Sequence, residues 1–134
     1  MLMVYLKKKL VVLAVVARYN YMIQPTLKPF SKDTFILYED FDYKGIKVPQ
    51  GYITDGASIP RLFWFLYPPN QPEHLAPAVV HDYLTDIALE KKDYNLFVES
   101  DKVFKEMLKA YGCSFLKTTL FYLSCRLYHF ILYK

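Results

Sequence analysis

The residues whose types could do chemistry are three carboxylates and one imidazole: Asp55, the adjacent His81 and Asp82, and Asp101. Carboxylate oxygens and an imidazole nitrogen can together bind a divalent cation, with water in the remaining coordination positions. A water bound to that cation would act as a nucleophile, or His81 would act as a general base without a metal. These four residues therefore predict a hydrolytic site and are the candidate ligands of a divalent metal ion.

Asp55 lies in a polar loop, residues 48–61, that also contains Thr54, Ser58 and Arg61. A nucleophile elbow has a second glycine two residues after its serine, and Pro60 stands at that position here. Ser58 is therefore not predicted to be a catalytic serine of that kind. The hydroxyl groups of Thr54 and Ser58 fit turn or helix-capping positions, where they bond nearby backbone donors. We therefore expect Asp55 to be the catalytic residue of the loop, with the other three in substrate-binding or structural support.

Asp101 falls in an apolar stripe of a predicted helix, on the face shared by Phe97 and Phe104. Burying an unpaired carboxylate costs several kcal/mol, so Asp101 needs a cation, a metal or several hydrogen-bond donors. The cation of Arg126 is a candidate partner. Arg126 lies on one stripe of the last predicted helix together with Tyr122 and His129. A structural pair between Asp101 and Arg126, with a bond to Tyr122, is therefore the alternative to a catalytic role.

The elements that position these residues divide the chain into a β-rich part, residues 1–60, and a helical part, residues 73–133. Alternating apolar side chains predict strands, including one or two within residues 1–20 and a hairpin at Lys44-Gly45. The two prolines of residues 24–29 predict an irregular connection. The later periodicity predicts three helices, at 73 or 77 to 89, 94–111 and 115–133.

This pattern predicts an α+β fold in which a small antiparallel β-sheet packs against about three α-helices. The 134 residues fit one domain with a core rich in aromatic side chains, since the chain contains 13 Tyr and 10 Phe. The net charge is +4, but most Lys and Arg residues are scattered, so the sequence does not favour nucleic-acid binding. Cys113 and Cys125 do not form a disulfide framework by their number or spacing.

The N-terminal segment allows two interpretations. Three consecutive lysines, residues 7–9, precede the apolar run Leu10 to Ala17, which resembles a weak signal peptide with Val15 and Ala17 at cleavage positions. The β-branched valines of the run favour a buried strand instead. The run is much shorter than the roughly 20 residues of a membrane span, so we do not expect the segment to cross a bilayer.

Residues 35–84 resemble the phage and prophage family catalogued as domain of unknown function 1353. The similarity depends on three motifs, which are Val-Pro-x-Gly-Tyr-x-Thr-Asp-Gly-Ala-Ser-Ile-Pro-Arg at 48–61, then Trp64 and Pro68, then Ala-Val-Val-His-Asp-Tyr-Leu at 78–84. Looser similarity continues through Asp101, Phe104, Met107, Tyr122 and Arg126. The chain departs from many relatives at Thr85 and Ser100, neither of which changes an ionisable group. The resemblance implies a phage-derived protein of small α+β fold and brings no established reaction.

The sequence leaves three hypotheses open. The first is a hydrolase, with or without a divalent metal, that acts on peptidoglycan or another host polymer. The second is a phage structural or host-interaction protein whose Asp/His/Arg cluster locks the β-rich part to the helices. The third is a membrane-associated role, suggested by Leu10 to Ala17 and by the aromatic last helix. The expected partners are phage or host-envelope components, and the expected location is the host cytoplasm or the virion, with N-terminal export as the alternative.

Overall fold

The structure is a computed structural model that describes residues 1–20, 23–56, 68 and 71–134, with the backbone alone for residues 13–20. The described residues form an α+β fold, as predicted. Its elements in chain order are α1 (Leu2–Asn20), β1 (Leu27–Ser31), β2 (Thr34–Leu37), β3 (Phe41–Tyr43), β4 (Ile46–Val48), β5 (Ile53–Thr54), α2 (Leu75–Lys91), α3 (Tyr94–Ala110) and α4 (Phe115–Tyr133). None of the described helices is both long and apolar enough to cross a membrane.

The strands form two small antiparallel sheets. One has the order β1-β2-β5, and the other is the β3-β4 hairpin. In the first sheet Phe35 pairs with Thr54, and Ile36 pairs with Ile53. Both β4 and β5 contact α2. This pairing places Thr54, and Asp55 directly after it, beside the helix that contains His81 and Asp82.

The three C-terminal helices match the predicted periodicity, and local capping explains their ends. Pro77 is tolerated near the start of α2, because the backbone N–H groups of a first helical turn have no partner within the helix. Asp93 caps α3 by accepting a bond from the backbone N–H of Asn95, at 2.9 Å. Ser114 caps α4, and Gly112 has φ +87° in the turn that separates α3 from α4.

Helix α3 lies at the centre of the apolar core. One buried cluster joins both sheets to α2 and α3, and it consists of Leu37, Phe41, Val48, Ala76, Val79, Val80, Met107 and Tyr111. A second cluster joins α3 to α4 and consists of Phe104, Leu108, Phe121 and Cys125. The two clusters hold α2 and α4 against α3, so side chains from all three helices can meet.

The prediction of strands within residues 1–20 is wrong, because residues 2–20 form α1. The β-rich part therefore begins at Leu27 rather than at the N-terminus. Valine favours a strand mainly where its side chain can pack against neighbouring strands, so β propensity depends strongly on the tertiary surroundings. The segment has no strand partner in the described chain, and its Leu, Met, Lys and Ala residues favour a helix.

The prediction that residues 24–29 hold no regular element is also wrong, because β1 begins at Leu27 and includes Pro29. Pro29 pairs with Phe35 on the neighbouring strand β2. Among the described strands, β1 is at the edge of its sheet, so one side of its backbone has no ladder partner there. A proline without an N–H group is tolerated at such an edge.

Candidate functional site

A buried carboxylate, Asp101 on α3, joins the three C-terminal helices. Its side chain is fully buried. Nε2 of His81, on α2, lies 2.7 Å from Oδ1 of Asp101. From α4, Nη1 of Arg126 donates to Oδ2 at 2.9 Å, and Nδ1 of His129 lies 2.9 Å from the same oxygen. Asp101 is therefore bonded to α2 and α4 at once.

The predicted ion pair between Asp101 and Arg126 is present, but its phenol partner is not the predicted one. Nη2 of Arg126 donates to the hydroxyl of Tyr94, at 2.8 Å, at the start of α3. The ring of Tyr122 instead lies under Nζ of Lys105, 4.7 Å from the ring centroid. We call Asp101, His81, His129, Arg126 and Tyr94 the Asp101 network.

The Asp101 network holds its carboxylate in the ionised form. Burial raises the pKa of Asp101, but hydrogen bonds from His129 and His81, the positive charge that His81 can carry and the bond from Arg126 outweigh it and hold the pKa at about 2. Burial lowers the pKa of His81, so its imidazole is neutral at pH 7 and bonds Asp101 through a neutral N–H. The His81 ring stacks on Phe104 at 4.5 Å, and its Nδ1 has no hydrogen-bond partner among the described residues.

The metal-binding capacity of the Asp101 network follows from its donor atoms. One ligand atom each of His81, Asp101 and His129 lies within 4.8 Å of the others, and two imidazoles with a carboxylate suit a transition metal. The guanidinium of Arg126 already contacts the same carboxylate. A divalent cation there would bring a second positive charge beside Arg126 in a buried site. This charge balance favours a hydrogen-bond network over a metal centre at Asp101.

A second carboxylate cluster lies on the other side of α2. Asp82 follows His81 directly, and successive residues of a helix point about 100° apart. Asp82 therefore faces β5, where the Thr54 hydroxyl donates to its Oδ2 at 2.7 Å and also accepts from the backbone N–H of Gly56 at 3.0 Å. Asp55 directly follows Thr54, and its negative charge acts on the Asp82 carboxyl. We call these two carboxyl groups the Asp55–Asp82 pair.

The Asp55–Asp82 pair retains a proton near neutral pH. Burial and the negative charge of Asp55 raise the pKa of Asp82 to about 7, although the hydrogen bond from Thr54 opposes the shift. The negative charge of Asp86 adds to the rise. Asp82 is half-buried, whereas Asp55 is exposed at the surface. The pair therefore combines a proton donor with a group that solvent can reach.

Asp86 extends this acidic face one helical turn beyond Asp82. The hydroxyl of Tyr52 donates to Oδ2 of Asp86 at 2.6 Å. The ring of Tyr52 packs edge-on against Tyr83, with 5.3 Å between the ring centroids. Burial and the bond to Asp86 raise the pKa of Tyr52 far above its ordinary value, so its hydroxyl remains a hydrogen-bond donor. Tyr52 and Thr54 thus anchor the loop before Asp55 to α2.

The four residues predicted to form one site occupy two places. His81 and Asp101 belong to the Asp101 network, whereas Asp55 and Asp82 form the Asp55–Asp82 pair. Among the described residues, the donor atoms that lie close enough together to hold a metal ion are those of His81, Asp101 and His129, so a metal centre shared by all four predicted residues stays a prediction. The angle of about 100° between successive helical side chains accounts for the division, since His81 bonds Asp101 whereas Asp82 bonds Thr54.

The contacts of two supporting residues were not predicted, and two predicted residues lie outside the described residues. Helical spacing placed His129 on the same stripe as Arg126, but its bond to Asp101 was not predicted. Tyr94 had no such signal, because its contact with Arg126 joins two different helices. Ser58 and Arg61 fall within residues 57–67, outside the described part of the chain.

Comparison with known proteins gives a family and no reaction. A family model described as "Protein of unknown function (DUF1353)" matches residues 33–125. This range includes both carboxyls of the Asp55–Asp82 pair, and it ends one residue before Arg126. Searches of curated proteins and of solved structures found no match.

Proposed function

The chain belongs to the DUF1353 family, and from the geometry of its own residues we propose that it is a hydrolase whose acid and base are the Asp55–Asp82 pair. The supporting observation is that half-buried Asp82, held by the Thr54 hydroxyl, is influenced by the negative charge of Asp55, and that burial and this charge raise the pKa of Asp82 to about 7. A carboxylate can remove a proton from an attacking water, while a neighbouring carboxylic acid protonates the substrate. Thr54 positions Asp82 through the bond to its Oδ2.

The closeness of the two carboxyl groups favours one class of hydrolysis. Glycosidases separate their two carboxyl groups by about 5 Å or more, to accommodate a sugar or a sugar and a water. We propose that Asp55 and Asp82 are closer than that and share one proton, since the charge of Asp55 helps to raise the pKa of Asp82 to about 7. Two carboxyl groups that share a proton are the arrangement by which aspartic proteases activate water. An amide or ester carbonyl is thus the proposed reacting group, and the peptide part of peptidoglycan is the matching host polymer for a phage-derived protein.

His81 is a second candidate base, but it lies in the Asp101 network rather than at the Asp55–Asp82 pair. Asp101 holds the Nε2 side of the ring, which leaves the lone pair of the neutral imidazole on Nδ1. A carboxylate that orients an imidazole in this way is the support that a general base requires. If His81 takes no part in proton transfer, it and Asp101 act as positioning residues that fix α2, which contains Asp82.

The proposal has a metal-dependent form. A divalent cation bound between Asp55 and Asp82 would replace their shared proton and lower the pKa of its bound water. The metal content of the purified protein, of Asp55→Ala and of His81→Ala distinguishes the two forms. Metal that is lost in Asp55→Ala and retained in His81→Ala would place the cation at the Asp55–Asp82 pair. No bound metal in the wild-type protein would leave the metal-free form.

The direct experiment incubates the protein with purified peptidoglycan and measures new amino groups and new reducing sugar ends separately. We expect new amino groups, with a rate that falls above about pH 7 as Asp82 loses its proton. Asp55→Asn and Asp82→Asn should each lower the rate roughly a hundredfold or more. Glu99→Gln is the matched control, because Glu99 is an exposed acid on α3 whose ion pair is with Lys102.

Two results would contradict the proposal. If reducing ends appear instead of amino groups, the chemistry is glycoside hydrolysis and the carbonyl assignment is wrong. If both asparagine variants release amino groups at the rate of Glu99→Gln, the Asp55–Asp82 pair is not catalytic.

The alternative function is a non-enzymatic phage structural or host-interaction protein, and the Asp101 network is the observation that favours it. The two oxygens of Asp101 bond three partners from two other helices, which is the arrangement of a structural lock. This alternative predicts that Asp82→Asn and Asp101→Asn both lower the melting temperature strongly. The hydrolase proposal predicts a loss of stability for Asp101→Asn alone.

A further inference from the structure

Helix α1 exposes most of an apolar sequence to solvent. Residues 1–12 are all exposed, and Leu6, the least exposed large apolar side chain among them, has 46% of its surface accessible. The helix makes no extensive contact with any other described helix or strand. The apolar side chains of residues 1–12 are therefore not buried by the other described elements.

A helix with so many exposed apolar side chains is expected to bury them against another protein or a membrane. Isolated helices gain little stability in water unless tertiary packing buries an apolar face. A contiguous exposed apolar surface in a folded protein typically marks a site of protein or membrane interaction. The remaining question is which of these surfaces α1 fits.

The charges of α1 favour a lipid surface. Lys7, Lys8 and Lys9 form one basic turn between apolar residues on both sides, and α1 contains no acidic residue. Clustered lysines beside an apolar helical surface are attracted to anionic headgroups, while the apolar side chains enter the interface. The helix is not one that could cross the bilayer, so it would lie at the membrane surface.

A second copy of the chain fits α1 less well. The outer side of α4 exposes apolar residues that could receive an apolar helix, namely Leu116, Leu123, Leu127 and Ile131. However, α4 contains no acidic residue, so Lys7, Lys8 and Lys9 would find no carboxylate there. Pairing α1 with another α1 would bring two basic turns into proximity. Charge complementarity therefore distinguishes anionic lipid from either protein surface.

We propose that α1 binds the surface of a bilayer that contains anionic lipids, with Lys7, Lys8 and Lys9 at the headgroups and apolar side chains such as Leu10 and Val11 in the interface. The proposal is independent of any reaction at the Asp55–Asp82 pair. It predicts that binding depends on lipid charge, on the lysines and on the apolar side chains together.

Co-sedimentation with vesicles tests the proposal. The full-length protein is mixed with vesicles of phosphatidylcholine alone, or of phosphatidylcholine with phosphatidylglycerol. We expect binding to the anionic vesicles that weakens as salt is raised, since salt screens the attraction. Replacing Lys7 and Lys8 by Gln should lower the affinity roughly tenfold or more.

The matched control replaces Lys91 and Lys92 by Gln. These two lysines are also adjacent and exposed, but they lie at the end of α2, so the same change in net charge should leave binding nearly unchanged. Leu10→Ser with Val11→Ser tests the apolar contribution and should also weaken binding. Circular dichroism and melting curves of each variant confirm that the domain remains folded.

Three outcomes would overturn the proposal. The first is the absence of binding to anionic vesicles, or equal binding to neutral ones. The second is an equal loss of affinity in the Lys91 and Lys92 control, which would indicate non-specific attraction by net charge. The third is a dimer, detected by light scattering without lipid, that dissociates in the variant with serines at positions 10 and 11, because that result would assign α1 to a second copy.

Discussion

The pKa values of two aspartates in this protein are shifted in opposite directions by their neighbours. Asp101 is fully buried, yet its donors hold its pKa at about 2. Asp82 is only half-buried, yet burial and the adjacent Asp55 raise its pKa to about 7. The difference follows from the partners, because donors and cations favour a carboxylate whereas a second carboxylate opposes it. The contrast distinguishes a carboxylate that its donors keep ionised from one whose surroundings favour its protonated form.

Asp101→Asn is expected to destabilise the protein by about 3 kcal/mol, because it leaves Arg126 without its buried counter-charge. The amide nitrogen would also face donors where the wild type has only acceptors. Urea denaturation of the variant and of Glu99→Gln measures the difference. A loss no larger than that of the exposed control would show that the Asp101 network contributes little to stability.

The low pKa of Asp101 predicts that the protein loses stability in acid. Its pKa is about 2 in the folded protein and 3.8 as its ordinary value, so the ionised form is favoured by folding. The stabilisation is complete above the ordinary pKa and disappears as the pH falls from about 4 to 2. In Asp101→Asn this part of the acid dependence should be absent, and urea midpoints across that range measure it.

The Asp82 carboxyl is expected to give stability a pH dependence opposite to that of Asp101. Because folding raises the pKa of Asp82 from 3.8 to about 7, the folded state holds a proton that the unfolded state has lost. The free energy of unfolding therefore decreases between about pH 4 and 7, by up to about 1.4 kcal/mol per pH unit, and is constant above that range.

The asparagine at position 82 should remove this pH dependence and make the protein more stable than the wild type at pH 8. The gain arises because the neutral amide is not repelled by Asp55 and can still accept the bond from Thr54. Urea midpoints of both proteins from pH 4 to pH 8 provide the measurement. A pH-independent loss of stability would indicate a structural role for the Asp82 carboxylate.

At the scale of elements, the β3-β4 hairpin shows how a two-residue turn sets strand register. Lys44 and Gly45 have φ of +46° and +83°, and type I′ turns require positive φ at both central positions. The turn pairs Tyr43 with Ile46 and places the apolar Phe41 opposite Val48. Both of these last side chains are buried, so the register decides which face of the hairpin enters the core.

Changes at the two turn positions should have opposite effects. Gly45→Ala should destabilise the protein by about 1 kcal/mol, because alanine is strained at positive φ although the space beside Gly45 is open. Lys44→Asn should stabilise it by several tenths of a kcal/mol, since asparagine tolerates positive φ and Asn-Gly is the preferred type I′ pair. Thermal melting of both variants tests the turn. Equal destabilisation by both would show that the turn is not of this type.

At the scale of the whole molecule, the domain is tied to the chain that follows α1 rather than to α1 itself. The Tyr111 hydroxyl donates to the carbonyl of Ile23 at 2.6 Å, and Gln24 Nε2 donates to the carbonyl of Pro72 at 2.7 Å. These two bonds fix residues 23–24 beside the C-terminal helices. Helix α1 precedes this attachment and has no comparable contact with the described elements.

Deletion of residues 1–20 is therefore expected to leave the free energy of unfolding within about 0.5 kcal/mol of the wild type. Tyr111→Phe should destabilise the protein by about 1 kcal/mol, because it removes the bond to Ile23 from a buried hydroxyl position. Urea denaturation of both variants compares the two attachments. A larger loss from the deletion than from Tyr111→Phe would show that α1 packs on the domain.

The sequence by itself determined the features that depend on local spacing. The three C-terminal helices, the Lys44-Gly45 hairpin and the α+β class follow from periodicity, caps and turn residues, all of which act over a few positions. The pair between Asp101 and Arg126 also followed, because a carboxylate in an apolar stripe requires a partner. The helix at residues 2–20 and the strand β1 were not predicted from the sequence, since the conformation of these segments depends on the elements that pack against them.

Only the tertiary structure decided how the candidate residues are grouped. His81 and Asp82 are adjacent in sequence, but one helical step directs His81 to Asp101 and Asp82 to Thr54 and Asp55. Composition and spacing could identify four ionisable groups but could not show which of them is influenced by a second carboxylate and which is neutralised by donors. That outcome depends on the positions of α3, α4 and β5 around α2, and these are fixed by packing between residues distant in sequence.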